Sequence, residues 1–137
     1  MASKYASQLG SQYLSTDDER NIINQTADKY KLAGPSRKLL HTIRHVENGK
    51  QGKEFGVLNS HAERYAKDSD PTKSFKLQAE WAAGTIKKHF TGDLKKFANH
   101  YAPIKGATND VHGMNKNWLK NAQAKMSGGM TDDGYGN

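Results

Sequence analysis

Between residues 41 and 59 the chain reads HTIRHVENGKQGKEFGVLN, and three of its side chains can do chemistry. His41 and His45 stand four positions apart, the spacing at which one helix face presents two imidazoles to a metal ion. Glu47 stands one residue before the expected end of the same helix, and Gly49, Gly52 and Gly56 follow it. A carboxyl group at a helix end, with backbone able to fold close over it, suits general acid–base catalysis.

The helical angle separates the two. At ~100° per residue, with Leu39 at zero, Ile43 falls near 40°, Glu47 near 80°, Leu40 near 100° and Val46 near 340°. Glu47 therefore shares the apolar arc. Lost hydration disfavours its charged form and raises its pKa, and the negative end of the helix dipole acts in the same direction. Such a carboxyl stays protonated toward neutral pH and can donate that proton. The plainer reading of a last-turn glutamate is a side chain that closes the buried stripe and turns into solvent. His41 and His45 fall near 200° and 240° on the same scale, opposite the apolar arc, and are expected to be solvated. The zinc-protease pattern places Glu directly after its first His, where this chain has Thr42, and His61, His89, His100 and His112 offer no fixed third ligand. No metal and no cofactor are expected.

Helices must position these groups. Thr16 and Glu19 read as a capping box opening a helix over about 17–32, with Ile23, Ala27 and Tyr30 along one side. Gly34-Pro35 ends it and starts a second over about 35–48, with Gly49 as its terminator. Residues 49–70 read as irregular. Asp70-Pro71 caps a third helix over about 71–90. Phe75, Ala79, Ala82, Ile86 and Phe90 share one arc of it and Leu77, Trp81 and Gly84 the other, the pattern of a helix through the middle of a domain. Asp93 opens a fourth that ends near Pro103, and a last helix covers about 114–126 with Trp118, Leu119, Ala122 and Met126. The expectation is an all-α domain over 15–126, compact around one central helix, with little or no β structure. A polar arm over 1–14 precedes it, and a flexible tail over 127–137, rich in Gly and Asp, follows.

Hydrophobic residues make up 34% of the chain and mean hydropathy is -0.93, so the core must be small. The formal charge of +7 suits an anionic partner, whether nucleic acid, lipid headgroup or bacterial envelope polymer. The 21 Lys and Arg are spread along the chain, which argues against a dedicated nucleic-acid arm. With no cysteine, disulfides and cysteine-ligated zinc modules are excluded. No stretch reaches the ~20 apolar residues of a membrane span, and the first residues lack the apolar region of a secretory signal.

LLHTIRHVENGKQGKEFGVLN resembles the catalytic segment of the lysozyme-like superfamily, closest to lytic transglycosylases and virion-associated peptidoglycan hydrolases of bacteriophages. In that group a helix ends in a catalytic glutamate, and a glycine segment, often Gly-Leu-Met-Gln, lines the cleft. Glu47 matches the glutamate and Gly56-Val57-Leu58-Asn59 the glycine segment. LKKFANHYAP resembles a later helix whose tyrosine lies near the glutamate, matched by Tyr101. GATNDVHGMNKNWLKN resembles the ending of small phage hydrolases, and the likeness runs over about residues 36–126. Asn48 stands where better-known members have serine, and Asn59 where glutamine is usual.

The resemblance implies cleavage of peptidoglycan glycan strands. A hydrolase adds a second carboxylate at about 5–5.5 Å or 6.5–9.5 Å from the first. Glu54, on the loop, is the foremost candidate, ahead of Asp68, Asp70 and Asp110. Lytic transglycosylases manage with one glutamate, acid then base, while the sugar's own 6-hydroxyl attacks. The single-glutamate scheme is preferred. Gly56, Asn59, Tyr65, Tyr101 and Asn109 are the candidate sugar-contacting residues, with Asn99 and Trp118 behind them, Trp118 read first as core. The implied setting is a virion or, after delivery, the host envelope or periplasm, with other virion proteins as further partners. Two alternatives stand beside this: an inactive structural virion protein on the same scaffold, and a basic helical nucleic-acid-binding protein, for which no helix-turn-helix or aromatic RNA-binding signature is visible.

Overall fold

A computed structural model of the chain describes residues 14–48, 54–56, 71–101 and 114–135, and over these the fold is all-α, with no sheet. Helix α1 spans Thr16–Lys29. Its N-cap is Ser15, whose Oγ accepts from the Asp18 N–H at 3.0 Å, one residue before the expected capping box. Asp17, Asp18 and Glu19 crowd the first turn, where the helix dipole favours negative charge. Glu19 plays no part in capping. Its carboxylate receives the Arg44 guanidinium, Nε to Oε1 at 3.0 Å and Nη2 to Oε2 at 3.3 Å.

Helix α2 spans Pro35–Glu47, with Pro35 in the first turn, where its missing N–H costs nothing. It ends one residue earlier than expected. Asn48, not Gly49, takes the left-handed conformation at φ 47°, and its N–H returns to Arg44 O at 2.9 Å. Asparagine is among the few residues that adopt this conformation readily. Glu47 is thus the last helical residue. Helix α3 spans Pro71–His89, α4 Leu94–Tyr101 and α5 Met114–Ser127. Asp93 caps α4 by accepting from the Lys96 N–H at 3.1 Å.

The centre is shared by two helices. α3 packs on α1, α2 and α4, and α2 packs equally broadly, on α1, α3 and α5. Leu39, Leu40 and Ile43 of α2 meet Phe75, Ala79, Ala82, Ala83 and Ile86 of α3, all buried. Ile23 and Ala27 of α1, Phe97 of α4 and Trp118 and Ala122 of α5 complete the core. Gly84 faces Tyr30, but a methyl group there would lie at an ordinary 3.6 Å from Tyr30 Cε2, so no unusually close approach explains this glycine.

Two expectations are corrected here. The segment read as a flexible tail folds back as far as Tyr135: Met130 is buried, Arg20 Nε donates to Gly134 O at 3.3 Å, and Asn24 Nδ2 donates to Asp133 O at 3.1 Å. One methionine and a run of backbone carbonyls suffice to anchor it, where composition alone suggested nothing to bury. His41 is buried, not solvated, because α1 and this segment cover the flank of α2 opposite its apolar arc. Residues 1–13 of the arm lie outside the described residues; Leu14 packs against the core.

Candidate active site

Three pieces of chain meet at the C-terminus of α2. The first is Glu47, half-buried as the arc predicts. The second is the turn Glu54–Gly56, whose Gly56 lies against the carboxyl group: a Cβ on Gly56 would overlap Glu47 Cδ and Oε1 and stand 2.8 Å from Oε2. The φ of Gly56 is +73°, a conformation in which only glycine is comfortable. The third is α5, whose Trp118 Nε1–H donates to Glu47 Oε2 at 2.7 Å.

Burial raises the Glu47 pKa above its ordinary value, and the bond from Trp118, which favours the charged form, opposes part of that rise. With Oε2 accepting from the indole, Oε1 is left to carry the proton. The carboxyl group is therefore held at one oxygen by the indole, with Gly56 packed against it.

The turn over Glu47 is clamped on both sides of Phe55. Its N–H donates to Gln78 Oε1 at 3.1 Å, and its carbonyl accepts from the Tyr101 hydroxyl at 2.5 Å. The Phe55 ring is fully buried, edge-on to Phe75 at 5.2 Å, which anchors the turn by about 1.5–3 kcal/mol. Tyr101 packs on Trp118, ring centroids 5.7 Å apart, and on Phe97 at 5.4 Å. Burial, and then the Glu47 carboxylate, push its phenol pKa well up, so the hydroxyl keeps its proton and remains a donor. Tyr101, expected as a sugar-contacting residue, is placed here holding Phe55–Gly56 through the Phe55 carbonyl.

Glu54 turns its carboxylate toward Ser74 of α3. It is buried, Ser74 Oγ donates to its Oε2 at 2.7 Å, and its carbonyl accepts from Arg44 Nη1 at 3.1 Å. The arrangement fastens the turn to α2 and α3. Asn59, Tyr65 and Asn109, with Asp68, Asp70 and Asp110, lie outside the described residues. Asn99 is exposed on α4. Gln78 was not anticipated; a glutamine on the buried arc of α3, two turns before Ile86, was the available signal. Trp118 was read first as core, and it serves both purposes.

The histidine pair is split. His41 Nε2 lies 2.8 Å from Asn24 Oδ1, whose orientation is fixed by Nδ2 donating to Asp133 O. Nε2 is therefore the protonated nitrogen. Burial, then the charges of His45, Arg20 and Arg37, hold its pKa down to about 3. His45 is exposed and turned toward a separate cavity. Among the described residues no group of three or more metal-binding side chains converges, and His89 and His100 stack on each other with centroids 3.8 Å apart. No helix among the described residues is long and apolar enough to cross a membrane.

The sequence matches no known protein-family model, and comparison with characterised proteins and with solved structures yields no match.

Proposed function

We propose that this chain cleaves the glycan strands of bacterial peptidoglycan, with Glu47 as general acid and then general base. One observation carries the reading: a carboxyl group at a helix end, half-buried, roofed by a glycine and held at one oxygen by an indole N–H. The other oxygen protonates the departing glycosidic oxygen, and the carboxylate so formed is held by the Trp118 bond already in place. It then takes a proton from the attacking hydroxyl, either the sugar's 6-hydroxyl or water. The fixed turn at Phe55–Gly56 offers backbone to the sugar where a side chain would block it. Glu54, bound to Ser74, supports the turn, which favours the scheme with one glutamate. Residence on an anionic envelope suits the charge of +7, and delivery by a phage particle or through a holin-like pore belongs to the same proposal.

The test is purified wild type against Glu47→Gln on isolated sacculi, with both proteins shown to be equally folded. Cleavage by the wild type alone is expected. Equal release by both would sink the assignment, and an inert wild type found within a phage particle would make the chain a structural component. Mass spectrometry of the wild-type products distinguishes anhydro ends, left by a transglycosylase, from the reducing ends of a hydrolase.

A further inference from the structure

On the flank of α2 away from Glu47 lies a cavity of about 350 Å³, walled by α1, α2, α5 and the docked C-terminal segment. Its charged and titratable lining is Glu19 and Arg20 from α1, His41, Arg44 and His45 from α2, and Lys125 from α5. Three permanent cations thus face one carboxylate. That carboxylate is spent: both Glu19 oxygens are occupied by Arg44. Arg20 is fixed at the rim, its Nε on Gly134 O at 3.3 Å, its Nη1 on the outward Asp17 at 2.9 Å, and its guanidinium over the Tyr135 ring at 4.3 Å. Among the described residues, neither Lys125 Nζ nor the His45 ring makes a hydrogen bond or ion pair.

We propose that this cavity is a binding site for a phosphate ester. With Arg44 paired to Glu19 and Arg20 to Asp17, Lys125 is the cation left without a carboxylate among the described residues, and an anion beside it supplies the countercharge. Arg20, His45 and Lys125 approach from three different helical faces. Cationic side chains on three walls suit a tetrahedral oxyanion better than a flat carboxylate. The volume exceeds the needs of phosphate alone and leaves room for the organic part of the ester. His45 supplies the adjustable charge. Partial burial of its ring, then Lys125, Arg44 and Arg20, keep its pKa below the ordinary value, and His41 beside it stays neutral. A bound anion reverses the sign of the field at His45 and favours its protonation. Arg44 also holds the Glu54 carbonyl of the turn over Glu47, but Arg20, His45 and Lys125 take no part in that cluster, so the site stands apart from the proposed glycan chemistry.

The experiment titrates the full chain with glycerol 3-phosphate, with glycerophosphoglycerol and with acetate, at fixed low ionic strength, by calorimetry and by NMR of the His45 ring and the Gly134 amide. Saturable one-to-one binding of a phosphate ester is expected, with the His45 pKa moving up and acetate binding far more weakly. A tighter monoester would support the site as one for a small phosphorylated molecule. A tighter diester would support it as one for a phosphodiester polymer or headgroup. The diester holds a constant charge from about pH 5 to 8, so tighter binding at lower pH in that arm reports on His45. Lys125→Gln and Arg20→Gln should each weaken binding on the order of tenfold. Lys125 makes no polar side-chain contact among the described residues, so its variant keeps the test sound even if Arg20→Gln loosens the C-terminal segment. Acetate binding as tightly as the esters, or affinity unchanged in Lys125→Gln, would overturn the proposal.

Discussion

Adding one methyl group to Gly56 tests the assembly around Glu47 directly. In Gly56→Ala the new Cβ stands 2.8 Å from Glu47 Oε2 and overlaps Cδ and Oε1. Non-bonded carbon contacts prefer about 3.5–4.0 Å, so the carboxyl group must move by roughly an ångström. Two costs follow. Holding alanine at a φ of +73° costs about 1–2 kcal/mol. Moving the carboxyl group breaks the 2.7 Å bond and leaves the buried Trp118 N–H unpaired, about 1–3 kcal/mol more. Together these give a destabilisation of about 2–5 kcal/mol in urea unfolding. The Trp118 indole N–H resonance should shift upfield as its acceptor leaves. Glycan cleavage should fall on the order of a hundredfold, the usual penalty of an ångström's misplacement. Gly92→Ala is the control: its φ is +103° but nothing lies within 4 Å, so it carries backbone strain without overlap. If the two variants lose equal stability and the Trp118 resonance is unmoved in Gly56→Ala, the close packing of Glu47 beneath the turn is refuted.

Glu47 has a folded-state pKa raised above its ordinary 4.5, so the native state resists deprotonation and loses stability relative to the unfolded chain as pH rises past that value. Glu47→Gln should therefore unfold at higher urea than wild type at pH 7, the difference closing as pH falls below about 4.5, in paired denaturation curves. Ending the chain after Ser127 removes the buried Met130 and uncovers His41. The expected loss is about 2–5 kcal/mol, with the His41 pKa climbing from about 3 toward 6.5 by NMR. In the full chain His41 titrates below its unfolded value, so the unfolded state binds the extra proton and stability falls as pH drops from 6.5 toward 3; the shortened chain should show a flatter acid limb. Glu19→Gln removes the α1 carboxylate from a pair whose side chains are 8% and 13% exposed, and should cost about 3–5 kcal/mol in urea unfolding.

Helix positions were legible to within a few residues because caps and breakers are local: Pro35, Asp93 and the 3.6-residue arc of α3 mark their elements without help from the rest of the fold. The placement of Glu47 was legible for the same reason, since Leu39, Leu40, Ile43 and Val46 fix its angle. What escaped depends on neighbours. His41 lies outside the apolar arc, and no count along α2 reveals that α1 and residues 128–135 cover that side. Glu54 read from its loop as a candidate second carboxylate, and its burial follows from Phe55 dragging the turn into the core beside Ser74 and Arg44. The exchange of Glu19 from cap to ion pair needed knowledge that α1 and α2 lie side by side. Whether Trp118 was core or site could not be decided along α5 alone, because the acid it holds comes from another helix.

The Glu47–Trp118 bond joins residues 71 positions apart. A ribosome builds from the N-terminus, so the glutamate emerges first and waits. At about 5–20 residues per second the delay before the indole is even synthesised is about 4–14 s. Long-range contacts also form late, after the entropy of closing the intervening loop has been overcome. The last helix to be made is therefore the one that completes the acid, and a nascent or prematurely terminated chain carries a carboxyl group with neither its partner nor its tuned proton affinity.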